Sequence, residues 1–334
     1  MLEAFQATLT PMLTLFICIA VGFIVKKANL LPENTGTVMA KLETWVFCPA
    51  LSFSTMANFC TIDKIGTHAT NIILSSFGVA LAIGMAIPLA CLFIKKKCPE
   101  RGVYMYALAF ANSGYIGDPV VLAIFNEEVL SYYKLFCLPI SIMIYTWGIS
   151  VLVPSGNNKK DMLKKILNAP TVAMFIGIAV GLLELEAHIP APILDPVNGA
   201  LNSLKACMGP VAMLLAGFTI ASYDILGMLK KGKVYIATAL RLFVLPTIII
   251  GALFGIKELA NLIFDLEIGN NVLFLCLFAT AAPLGLNTVV FPKAYGGDPE
   301  TGASMAMISH TLCVLSIPLM YALMILIFGK PVFI

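Results

Sequence analysis

Tyr106-Ala-Leu-Ala-Phe-Ala-Asn112-Ser113-Gly114-Tyr115-Ile-Gly117-Asp118-Pro119-Val-Val-Leu122 sets an amide, a hydroxyl, glycines, an acid and a proline in the middle of a hydrophobic stretch. Cys276-Leu-Phe-Ala-Thr280-Ala-Ala-Pro283-Leu-Gly285-Leu-Asn287-Thr288-Val-Val-Phe291 has the same construction. A helix broken at such a point leaves backbone N–H and C=O groups unpaired, at a cost of several kcal/mol each in hydrocarbon. The break is tolerated only where it is buried in protein or faces a watery cavity. Two breaks at matching places in two halves of a chain are the sequence pointer to a transporter's binding site.

The rest of the chain supplies the bilayer context. Of 334 residues, 60% are hydrophobic and 12% charged, and the mean hydropathy is +0.94. These values exclude a soluble globular enzyme, a disordered chain and a nucleic-acid binder, and the hydropathy is too high for an outer-membrane barrel. The apolar residues suffice for about ten helices of about 20 residues. Ten candidate spans follow, at 5–25, 36–58, 68–94, 102–125, 131–153, 169–187, 197–222, 234–256, 272–294 and 302–328, numbered here as segments one to ten. Lys26, Lys27, Lys95, Lys96, Lys97, Arg101, Lys159, Lys160, Lys164, Lys165, Lys230, Lys231, Lys233 and Lys293 all fall in one alternate set of connections, against Lys64, Lys134, Lys257 and Lys330 in the other. Basic loops stay in the cytoplasm, so the protein is expected in a plasma or inner membrane with both termini outside and the 154–168 loop cytoplasmic.

The halves resemble one another. Pro11-Met-Leu-Thr-Leu-Phe-Ile-Cys-Ile-Ala-Val-Gly22 aligns with Pro170-Thr-Val-Ala-Met-Phe-Ile-Gly-Ile-Ala-Val-Gly181, and seven of the twelve positions are identical. Pro49 then pairs with Pro210 and Pro88 with Pro246 at nearly the same shift. The expected fold is an all-α polytopic membrane protein of two five-helix repeats, 1–153 and 169–334, joined by the 154–168 loop. With five spans per half the second repeat is inverted, an arrangement that recurs in secondary transporters.

At a shift of 169, Asp118 pairs with Asn287 and Pro119 with Thr288. Both pairs read as the N-cap and first residue of a second half-helix. Asp118 has a second reading as proton carrier or cation ligand, because acids inside a membrane are costly. Asn287 caps without charge, so its half-helix keeps the N-terminal field that attracts an anion. The expected substrate-binding residues are Asn112, Ser113, Gly114, Asp118, Pro119, Pro283, Gly285, Asn287 and Thr288, with a small organic anion held closest to Asn287 and Thr288. Asp118 and His310 are the candidates for coupling to a proton or sodium ion. Glu43 and Arg241 are candidates for an ion pair between segments two and eight, with snorkelling to the interface as the alternative.

Other signals are sparse. The nine cysteines show no C-x-x-C spacing and read as packing residues rather than as a metal or disulfide framework. The first residues carry no basic leader, so segment one is expected to remain as a helix. Residues 162–167 read as an amphipathic stretch on the inner surface, and Lys205 as lying near the outer interface. No nucleotide loop, metal cluster or nucleophile triad is present, so neither a cofactor nor catalysis is expected. Two rival functions keep the same fold: a non-transporting sensor that binds a lipid or metabolite, and a passive channel.

Asn112-Ser-Gly-Tyr-Ile-Gly117-x-Pro119, taken with Ala282-Pro283 and Val290-Phe-Pro-Lys293-Ala-Tyr295-Gly-Gly-Asp298-Pro, resembles the auxin efflux carrier family. That family includes the plant PIN carriers and bacterial carriers of malonate, malate and similar carboxylates. The resemblance implies a fold like the bile acid sodium symporters, with segments one, two, six and seven as a scaffold panel and dimer surface. The other six would form a moving transport domain, with segments four and nine crossing at their breaks and the substrate carboxylate near Asn112. Asp118 stands where the family usually has an apolar residue, and the short central loop resembles the microbial members.

Overall fold

A computed structural model describes residues 2–153 and 167–333. They are predominantly helical, with no strand among the described residues. Helix covers each of the ten expected segments. Segments one, three, six, seven and ten are the helices Leu2–Lys27, Ala69–Phe93, Ala169–Leu182, Ala191–Ala221 and Pro299–Phe328. Segment two runs from Thr35–Leu42 through a π-helical turn, Glu43–Phe47, into Cys48–Phe59. Segment eight has the same device, with Leu240–Val244 between Gly232–Ala239 and Leu245–Phe264.

Among the described residues, four helices are long and apolar enough to cross a membrane: Ala69–Phe93, Ala191–Ala221, Gly232–Phe264 and Pro299–Phe328. A fifth candidate in segment five, Glu128–Phe136 with Leu138–Leu152, is bent by 46°. Their outward faces carry large apolar side chains, among them Leu92, Leu262 and Leu326, each more than three-quarters exposed. Contiguous apolar surface of this kind needs lipid or a partner against it.

Two boundaries differ from the sequence expectation. Segment seven begins at Ala191 rather than 197: Pro192 falls in the first turn, where the missing N–H costs little, and Pro196 is carried inside the helix. Segment eight runs on to Phe264. Lys257 and Glu258 look like a loop in sequence, yet Lys257 Nζ bonds Glu258 Oε1 at 2.6 Å and Asn270 Oδ1 at 2.8 Å within and beside the helix. Of the amphipathic stretch at 162–167, all but Leu167 lies outside the described residues.

Segment one packs chiefly on seven, and segment six on two, with seven also touching two. Segments three, four, five, eight, nine and ten pack largely on one another. The two principal contacts are glycine-mediated, as expected where helices associate without a hydrophobic driving force. A Cβ on Gly22 would stand 2.1 Å from the Leu214 carbonyl oxygen, and one on Gly181 would stand 2.9 Å from those of Ala57 and Met56. Backbone cannot yield as a flexible side chain can. Gly22→Ala is therefore expected to lower the thermal midpoint of the purified protein clearly, and Gly181→Ala to lower it less, as read by the unfolding temperature in detergent.

Candidate functional site

Segment four starts as the helix Pro99–Ala109 and then turns extended at Phe110 (φ −120°, ψ 128°). A π-helical turn, Ser113–Gly117, leads into the second half-helix, Asp118–Ile124. Segment nine stops at Thr280 and resumes at Asn287–Tyr295. Pro283 explains the stop, since it has no N–H to donate and its ring clashes with the carbonyl four residues back.

The two breaks meet. Asn112 N donates to the Pro283 carbonyl at 2.7 Å, and Gly285 N donates to the Phe110 carbonyl at 3.4 Å. Ala111 and Leu284 face each other as an isolated antiparallel bridge. Each interruption thus supplies the hydrogen bonds that the other lacks. The chain ends left by the first half-helices are served by Arg241, which is fully buried. Its guanidinium donates from Nη2 to the Thr280 carbonyl at 2.5 Å and from Nη1 to the Leu108 carbonyl at 3.4 Å. One cation therefore sits against the negative C-terminal ends of both half-helices.

Beside the crossing lies a cavity of about 90 Å³, room for several waters or a small organic molecule. One wall is made by the breaks: Asn112, Ser113, Gly114, Asp118, Gly285 and Asn287. The facing wall comes from segments two and seven, through Ser52, Thr55 and Met208, and segment five adds Lys134 and Ser141. Asp118 and Lys134 form an ion pair at its edge. Tyr106, which also lines the cavity, and Tyr133 brace the crossing: Asn287 Nδ2 donates to the Tyr106 hydroxyl at 2.8 Å, and the Tyr133 hydroxyl donates to the Ser113 carbonyl at 3.1 Å.

The sequence profile of a family described as membrane transport protein matches residues 7–161 and 157–321, almost the whole chain. An uncharacterized transporter of Methanocaldococcus jannaschii is 26% identical over 328 residues, covering 92% of this chain and 96% of its own. An uncharacterized transporter of Methanothermobacter thermautotrophicus is 21% identical over 220 residues, covering 65% of this chain and 69% of its own. The chain belongs to the auxin efflux carrier family of membrane transport proteins.

With that family and these apolar helices, it is a multi-pass membrane protein. Not every residue singled out in the sequence reaches the cavity of this carrier-family member. Pro283 lends its carbonyl to Asn112, and Thr288 turns its hydroxyl back to the Gly285 carbonyl at 2.9 Å; neither lines the cavity. The side chain of Pro119 lies outside the described residues. His310 stands behind Asn112, with Nε2 at 3.4 Å from Asn112 Nδ2. Its Nδ1 faces the Ala306 carbonyl at 2.8 Å. That oxygen only accepts, so the ring proton sits on Nδ1 and Nε2 accepts from the amide.

Two expectations need correction. Asp118 and Asn287 do open the second half-helices, but neither side chain caps: Gly117 and Leu286 occupy the cap positions, with no side-chain bond. The chain enters each half-helix already coiled, so there is no extended cap residue to turn a side chain onto the free amides. Glu43 and Arg241 do not pair. Two helix ends already offer Arg241 fixed acceptors, while Glu43 accepts from Cys48 Sγ at 3.9 Å.

Sequence reasoning missed Lys134, Tyr106 and Tyr133. Lys134 counts as one loop cation among several until segment five bends toward the breaks. The tyrosines lie in apolar runs where an aromatic ring usually packs, and only their hydroxyl partners mark them. Hydrogen bonds to a charged donor are worth about 1.5–3 kcal/mol each, so Arg241→Ala is expected to cost about 3 kcal/mol or more. The check is the unfolding temperature of the purified variant, with Arg241→Lys, which keeps the charge but not the fork, in between.

Proposed function

We propose that this chain is a secondary carrier of a small organic anion, a carboxylate or auxin-like acid, that works by alternating access with its site where the two breaks cross. The carrying observation is the cavity between the two helix groups, with the breaks on one wall and segments two and seven on the other. Relative motion of two such walls would move the site between the membrane faces while the paired breaks travel as a unit. Asn287 supplies a donor. Its Oδ1 has no partner, and the Tyr106 hydroxyl can accept or donate. A half-turn of the amide keeps that bond and puts two N–H donors at the vacant position. The N-terminus of Asn287–Tyr295 adds a field favourable to a carboxylate. Ser113 and Ser141 add hydroxyls to the lining.

The packing also supports the inverted repeat of 1–153 and 169–334. The aligned residues Gly22 and Gly181 each sit against partner backbone, in the equivalent contacts of segment one on seven and six on two. The two profile matches meet at the 154–168 loop. Loop charges favour outside termini and a cytoplasmic loop. Segments one, two, six and seven would be the panel, and the surface through which a homodimer forms.

The test is uptake into proteoliposomes, with radiolabelled malonate and indole-3-acetate as probes. Saturable uptake with counterflow is expected, and its loss in Asn112→Ala and Asn287→Ala. Binding without counterflow would mark a sensor, non-saturable flux a channel, and full transport in both variants would move the site elsewhere.

A further inference from the structure

The Asp118–Lys134 ion pair bears on what the cavity can accept. Among the described residues, these two are the charged side chains lining it, each less than one-fifth exposed. Lys134 lies on Glu127–Phe136 and Asp118 opens Asp118–Ile124, so the pair ties segment five to the second half of segment four. The titratable groups nearest it are uncharged apart from Lys205, a cation outside the cavity lining whose charge is felt at Lys134. Tyr133 and Cys137 flank Lys134 on its own side, and Cys276 of segment nine lies behind them. Lys205 of segment seven approaches from across the cavity, where it donates to Ser54 Oγ at 3.3 Å.

Charge counting then constrains the ligand. The pair is neutral, so a carboxylate entering beside it would leave one uncompensated negative charge in a largely desolvated site, which is strongly unfavourable. Three arrangements avoid this: the ligand is neutral, a second cation enters, or Asp118 gives up its charge.

We propose that the substrate carboxylate displaces Asp118 from Lys134, and that Asp118 takes up one proton from water as it leaves the pair. Lys134 is then the specificity-determining residue for anions, and Asp118 is its counterion in the empty carrier. The balance is simple. Empty, the cavity holds Asp⁻ and Lys⁺; loaded, it holds AspH, Lys⁺ and RCOO⁻, so the net charge is zero in both states. One proton moves with each carboxylate group bound at Lys134. The neutral Asp118 carboxyl becomes a donor, free to bond the carboxylate it has made room for. Movement between membrane faces with the cavity neutral avoids carrying net charge through the low-dielectric interior in either direction. The proposal rests on reading the cavity as an organic-anion site and adds which side chain meets the anion and what couples.

The experiment is binding of two monocarboxylates, monomethyl malonate and indole-3-acetate, to the purified full chain in detergent, followed by calorimetry over a range of pH. Linkage of one proton makes wild-type affinity rise about tenfold per pH unit on acidification, wherever free Asp118 is ionised and the ligand remains an anion. Asp118→Asn should bind more tightly at neutral pH, because Lys134 stands free, and should lose that pH dependence. Lys134→Gln should weaken binding by at least about tenfold, and Lys134→Arg should largely restore it. If Lys134→Gln unfolds, the double variant Asp118→Asn/Lys134→Gln removes both charges together; it should stay folded and fail to bind. Binding by folded Lys134→Gln or the double variant at wild-type strength overturns the proposal while leaving the carrier reading intact. So does a pH dependence that survives in Asp118→Asn. Failure of the wild type to bind either probe overturns the anion site itself, and this proposal with it.

Discussion

Backbone that has left a helix inside a membrane must find partners in protein, and this requirement organises the molecule. Segments four and nine each stop midway, and neither could do so alone. The Asn112 amide bonded to the Pro283 carbonyl, and the Gly285 amide bonded to the Phe110 carbonyl, make each break the other's solution. From this pairing follow the crossing of the two segments, the burial of Arg241 against the ends of both first half-helices, and the close placing of Asn112, Gly285 and Asn287 on one wall.

The crossing also sorts charge. The C-terminal ends of the first half-helices, carrying partial negative charge, converge on one guanidinium on the side away from the cavity. The N-terminal end of Asn287–Tyr295 opens toward the cavity, beside a lysine. In many transporters unwound carbonyls and helix C-termini hold a coupling cation. Here a side chain of the protein's own occupies that electrostatic role, and the cavity holds the neutral Asp118–Lys134 pair. Arg241 is thus a structural cation and Lys134 a cavity-facing one. Their separation in space distinguishes them; nothing in their sequence neighbourhoods does.

The helix content was legible because a bilayer demands long apolar runs, and the charge between them marks their ends. The breaks were legible for a related reason, since Asn112, Gly114, Pro283 and Gly285 are the residue types that do not continue an apolar helix. Partnership was less so. Glu43 and Arg241 looked like a pair because both are charges inside apolar segments, and a one-dimensional reading offers a charge only another charge. Arg241 instead meets backbone, whose acceptors are invisible until two helices end beside it. Asp118 looked like a cap because Asp-Pro opens helices; the π-helical turn before it removes the extended residue a cap requires.

By itself the sequence determined that this is a helical, multi-pass membrane protein whose two hydrophobic interruptions matter, because hydropathy, proline and glycine act locally and leave a local trace. Tertiary structure alone decided which groups meet. The pairing of the breaks, the choice of backbone over Glu43 by Arg241, the Asp118–Lys134 pair and the placing of His310 behind Asn112 all join residues distant in the chain or turned together by a bend. Hydrogen bonds and ion pairs reach only a few ångströms, so their partners are chosen by packing, after the helices have come together.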